Sequence, residues 1–284
     1  MRAFCPFLIA VAALCAMPRN ARAQLYVCNG GGVSTYDPAT GTVIKANFIT
    51  GLNSPNFLVV KGNTLFVTDN VDNLVGKYNA NTGAPINPKL ITGLNVPMGL
   101  ALSGTSLFVV NNAGGGTGKG TIGEYDANTG TVIDAKLITG LNDPQGIALS
   151  GATLFVANFG TNNPDTGTVG EYAICGPPID ANLITGLNEP IGLALSGNTL
   201  FVGLVFGGKV RKYDADTGAR IFLDSPIKGL NVPYGLAVLG NTLFVAARLG
   251  GTVGKYDATT GAAISAFFIT GLSFPTGIAV KVTK

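Results

Sequence analysis

Hydrophobic residues in this chain fall in short runs rich in Val, Ile, Leu, Phe and Tyr, each closed by Gly, Asn, Asp or Pro. No window carries a helical period, so the pattern predicts strands throughout. The runs recur in a fixed order. The phrase ITGLN-x-P stands at Ile49, Ile91, Ile138 and Ile184, with variants at Ile227 (IKGLNVP) and Ile269 (ITGLSFP). Its glycines, Gly51, Gly93, Gly140, Gly186, Gly229 and Gly271, are 42 to 47 residues apart. Each unit continues as GLALSGNTLFV, a Gly-rich turn, GTVGEYDA, an NTG turn and a last stretch such as VIDAKLI. Four strands at this period make a propeller blade, whereas the coils of a β-solenoid are usually shorter.

The turns agree with the strands. Ser196 to Thr199 and Asp126 to Gly130 put Asn, Asp and Gly where tight hairpins need left-handed or Asx-type backbone. The small residues of GLALS suit an innermost strand, where blades converge on the axis. The last unit stops after one inner strand (277–284), while the chain after Gln24 opens partway through a unit (25–48). Joined, these fragments make one composite blade from 24–48 and 271–284 and remove two open sheet edges. The expectation is an all-β, six-bladed β-propeller of four-stranded antiparallel blades over 24–284. Tyrosines 36, 78, 125, 172, 213 and 256 keep the same count.

The pattern P-x-G-[IL]-A, then LFV, then GTVGEYD resembles the NHL-type repeat and its relatives among secreted bacterial six-bladed propellers, and more distantly the gluconolactonase-like propellers. The resemblance covers the whole chain after residue 23. It implies the propeller fold but no single activity, since the group includes interaction scaffolds, sugar lactonases and antibiotic lyases. WD and kelch repeats fit less well: the chain has no Trp and no His.

Residues 1–23 read as a signal peptide: Arg2, an apolar stretch from Phe7 to Met17, and Ala21-Arg22-Ala23 as a small-x-small cleavage site before Gln24. The apolar stretch is too short to span a bilayer. The expected address is therefore periplasmic or extracellular. Cys15 follows Leu14 rather than the small residue of a lipoprotein signal. Losing the leader removes Arg2, Arg19 and Arg22 and leaves 15 basic against 15 acidic residues. A neutral chain without evident Lys/Arg clusters lacks the footprint of a nucleic-acid binder. Cys28 and Cys175 remain, on different blades, and a disulfide between them is not expected.

In this architecture the loop leading into each inner strand and the loop between second and third strands share the channel face. Second after each LFV-type strand come Asn29, Asp69, Asn111, Asn158, Leu204 and Ala247. Four neighbouring blades thus present a polar group and two an apolar one. With Asp143, Gln145 and Glu189 nearby, the polar arc has two readings. It holds a hydroxylated small molecule or a hard cation such as calcium, or its members cap their own turns. No cofactor is otherwise expected. The absence of His removes the commonest general base, and Cys28 reads as a small buried residue rather than a nucleophile. Two adjacent blades lengthen their second-to-third loop, Asn111 to Thr121 and Asn158 to Thr168. Phe159, Phe206, Tyr234, Phe274 and Arg248 fall near the same face, the residue types that protein or glycan contacts use.

The function expected is a non-catalytic binding or interaction module, monomeric, with an unidentified protein or small polar ligand as partner. A metal-dependent lactonase-like hydrolase or lyase and a purely structural module are the alternatives. Convergence of three or more oxygens from Asp69, Asn111, Asp143, Asn158 and Glu189 would favour the enzyme.

Overall fold

The structure is a computed structural model describing residues 23–114, 118–161, 165–175, 177–222 and 225–282. The leader expected over 1–23 lies outside them except for Ala23, as do Thr283 and Lys284. The described residues form six antiparallel sheets of four strands, with no helix among them. Inner strands pack side by side in sequence and the last returns to the first, which closes the ring. Blade 1 is composite: Ile278–Lys281 is its inner strand, followed outward by Gln24–Asn29, Gly32–Tyr36 and Val43–Ile49. Blades 2 to 6 begin at inner strands Pro55–Lys61, Pro97–Ser103, Pro144–Ser150, Pro190–Ser196 and Pro233–Leu239, and each runs outward in chain order.

The LFV signature follows from this stacking. Second strands are buried on both faces, so they read as continuous apolar runs instead of alternating ones. In Thr153–Asn158, Leu154 and Val156 pack toward blade 3, while Phe155 and Ala157 pack toward blade 5. Successive side chains on a strand point to opposite faces, which makes each second strand the shared wall of two cores.

Glycine sets how closely the blades approach at the axis. A Cβ on Gly192 would lie 2.1 Å from the carbonyl oxygen of Tyr234, on the next inner strand, and one on Gly235 would lie 2.1 Å from that of Thr276. These contacts are to backbone, which cannot swing aside. Pro55–Lys61 carries Phe57 at the place where the other five units have a glycine, two residues after the leading proline.

Candidate functional site

Most of the polar arc is tied to the neighbouring entry loops. Both oxygens of the buried Asp69 carboxylate are engaged: Asn53 N–H donates to Oδ2 at 2.7 Å, and Ser54 N–H (3.0 Å) and Asp72 N–H (3.2 Å) donate to Oδ1. Asn111 Oδ1 accepts from Asn95 N–H at 3.2 Å, and Asn29 Oδ1 accepts from Ser273 N–H at 2.5 Å. In three blades the side chain thus caps the loop that leads into the inner strand. Asn158 differs: Nδ2 donates to Thr168 Oγ1 at 3.2 Å, while its buried Oδ1 has no partner. Leu204 and Ala247 are buried and offer no cap.

Residues just before the leading proline form a second ring around the mouth. Val96, Asp143, Glu189, Val232 and Phe274 all have φ between 50° and 61°, and Ser54 is the exception. Left-handed backbone is costly for bulky residues. Its recurrence in five blades makes it part of the turn that aims each proline into the ring. Asp143 is held by amides: Gln145 Nε2 donates to Oδ1 at 2.6 Å, and Asn112 Nδ2 donates both to Oδ1 and to the Pro144 carbonyl at 3.1 Å. Glu189 is half-buried, and its carboxylate has no hydrogen-bond partner among the described residues.

The channel behind this mouth is filled. Asn56, Met98, Gln145, Ile191, Tyr234 and Thr276, each following a leading proline, are all buried. Met98, Ile191 and Tyr234 share one cluster with Phe57 packed against it. The Phe57 and Tyr234 rings, from blades on either side of blade 1, lie 5.5 Å apart between centroids. Asn56 Nδ2 donates to Met98 Sδ at 3.4 Å, and Asn56 Oδ1 is buried without a partner. Burial pushes the Tyr234 hydroxyl up to about 12, with the Asn56 amide and the Arg248 charge acting the other way. Sequence reasoning missed that Phe57 fills the channel. The signal at Phe57 was available, since it occupies the place of a glycine found in the other five units.

Two of the aromatics expected on the face turn inward. Tyr234 is buried in the channel and Phe159 packs, partly buried, against the same apolar cluster. Phe206 (64% exposed) and Phe274 (59%) remain outside. Arg248, exposed, sets its guanidinium carbon 5.5 Å from the Tyr234 ring centre and 5.9 Å from that of Phe274. Arg248 and Phe274, with the exposed Leu249 and with Gly250, Gly251 and Gly271, line a shallow depression of about 440 Å³.

The carboxylates do not assemble. No group of three or more His, Cys, Asp or Glu side chains is placed to hold a metal ion among the described residues. The Asp69 and Asn111 oxygens are taken by backbone N–H groups of the loops that lead into their blades' inner strands, and Asp143 by two amides. Cys28 and Cys175 are both free thiols, the first buried and the second exposed. Burial raises the Cys28 thiol far above its ordinary range, where little nucleophilic thiolate forms.

No family model matches the chain, and no curated protein matches it. Among solved structures it is similar to a chain in a crystal structure of a nidogen/laminin complex, with a TM-score of 0.76 and 17% identity, over 92% of this chain and 99% of that one. That likeness establishes the β-propeller fold.

Proposed function

We propose that this protein is an exported NHL-type propeller working as a binding module, which engages a protein partner through the channel face around Arg248, Leu249 and Phe274. One observation carries the reading: an exposed arginine flanked by exposed Leu249 and Phe274 sits beside a channel that its own side chains close. Anchors of this kind supply most of the binding energy in protein interfaces, and a filled channel leaves the surface as the place of contact. The occurrence of the similar solved chain in a nidogen/laminin complex agrees with an interaction role. The tied-in arc oxygens speak against a calcium-dependent enzyme. Export rests on the leader pattern alone, and sequencing the mature N-terminus should return Gln24.

A photo-reactive residue placed at Phe274 should cross-link a partner in the native exported fraction, and one at Thr129, on the opposite face, should not. Equal labelling from both positions would refute a channel-face site. Calcium and EDTA should leave the melting temperature unchanged. A rise of several degrees with calcium that Glu189→Ala abolishes would restore the metal-dependent reading.

A further inference from the structure

Blade 5 departs from the others on its outer side. Its third strand, Lys209–Asp214, carries Arg211 where the corresponding strands of blades 2, 3, 4 and 6 have Gly76, Gly123, Gly170 and Gly254. A Cβ at those glycines would meet the following tyrosine ring at 2.6 to 2.7 Å, and at Gly170 also the Ala181 carbonyl of the outer strand at 2.8 Å. Blade 1 has Ser34 at this position under its full outer strand Val43–Ile49, so Arg211 stands out as the one long side chain there. In blade 5 that strand shrinks to Arg220–Ile221, and its pairing resumes only as a single bridge between Val210 and Ile227. Where the ladder parts, a groove of about 240 Å³ opens over Val210 and Ile227, with Lys209, Arg211, Arg220 and Lys228 on its walls.

Four cations thus line one groove, drawn from the third strand and the segments opposite it. None of the four side chains has an ion-pair or hydrogen-bond partner among the described residues. Arg211 Nε is buried without an acceptor, a state that carries a desolvation cost until an oxygen arrives. Arg220 lies 4.5 Å over the Phe222 ring, which is 77% exposed and lines a smaller adjoining depression that shares Arg211 and Arg220 with the groove. Lys209 and Arg211 are two residues apart on one strand, hence about 7 Å apart on one face, with Arg220 and Lys228 on the segments opposite. Charges spread in this way match a ligand with repeated anionic groups better than a single ion. A peptide adding as a strand would need open backbone groups, but Val210 N–H already donates to Ile227 and the strand's far end pairs with Arg220–Ile221.

We propose that this groove binds an acidic oligosaccharide, its carboxylates or sulfates on the four cations and a sugar face on Phe222. The site is separate from the channel face and does not depend on it. Calorimetry of the mature chain with a galacturonate hexamer and a heparin-derived hexasaccharide should show at least one binding, more weakly as salt is raised. Arg220→Gln with Lys228→Gln, both at exposed positions, should weaken it about tenfold or more. Phe222→Ala should weaken it several-fold, and Lys255→Gln on blade 6 should leave it unchanged. Thermal melts of the same variants establish that they fold. The proposal fails if neither probe binds, if the double variant binds as tightly as the parent, or if a neutral hexamer does. It also fails if an aspartate hexapeptide binds as tightly, which would make the partner a protein, or if inorganic sulfate does, which would make the site an adventitious ion only.

Discussion

The carboxylate of Asp69 accepts three backbone N–H groups from two loops while almost wholly removed from water. Truncating it strands buried donors, and each unsatisfied donor costs about 1 to 3 kcal/mol. Asp69→Ala should therefore lower stability by about 2 to 4 kcal/mol, with Asp69→Asn milder, as read from chemical denaturation. Equal stability of Asp69→Ala and parent would mean that this side chain does not hold its loop. The hairpin aspartates act more gently and at acid pH. Hydrogen bonds hold Asp126, Asp214 and Asp257 below their ordinary 3.8, from the Thr129 backbone first at Asp126, the Thr217 hydroxyl at Asp214 and the Thr260 backbone at Asp257. Folded values below the unfolded one add stability that is complete above pH 3.8 and is lost as pH falls through the folded values. Carbon-detected NMR titration should place all three midpoints under 3.8. These aspartates were legible as Asx turns because the turn is local. At Asp69 the sequence allowed both readings, since the deciding donors belong to a loop about fifteen residues away whose path only the fold defines.

Glycines that look alike in the repeat do different work in the elements they serve. Gly140, near the end of the outer strand Val132–Leu141, has φ of +77° and nothing within 4 Å of where a Cβ would stand, so Gly140→Ala should cost about 1 kcal/mol of backbone strain. Gly192 has an ordinary φ, yet its Cβ would sit 2.1 Å from the Tyr234 carbonyl of the next blade. Relief requires moving one inner strand against another, so Gly192→Ala should cost about 3 kcal/mol or more. Thermal melts of the two variants should rank in that order, and the reverse would place the tight blade contact elsewhere. Strand order, the glycine-led turns and the inner strand were legible because repetition restates them. Phe57 and Arg211 were not, because each is a single exception whose meaning lies in a neighbour: a ring across the channel for one, a shortened outer strand for the other.

Closure is the property that no single blade has. Sequence reading found the composite blade from two incomplete ends, and Ile278–Lys281 pairs with Gln24–Asn29 as expected. The register Leu25 to Val280 and Val27 to Ile278 packs residues 25 and 27, both fully buried, against blade 6. Around that strand Gly277 N–H donates to the Asn56 carbonyl at 2.7 Å, Cys28 N–H donates to Gly277 at 2.9 Å, and the buried Lys281 ammonium donates to Asn63 Oδ1 at 3.2 Å and to Asn81 Oδ1. The terminal strand thus joins blade 1 to blade 2 as well as completing blade 1. Burial of Ile278 contributes about 2 to 3 kcal/mol and each ladder or bridging hydrogen bond about 1 kcal/mol. Their sum is comparable with the roughly 5 to 15 kcal/mol that holds a typical domain together. Deleting residues 277–284 should therefore lower the melting temperature by more than about 10 °C or prevent folding, and should promote association through the freed edge of Gln24–Asn29. Lys281→Ala separates the two contributions: it keeps the strand but loses the asparagine contacts to blade 2, so it should melt between the parent and the truncation. A truncated chain that melts with the parent, monomeric by light scattering, would show that blades 2 to 6 hold their curvature without the terminal strand.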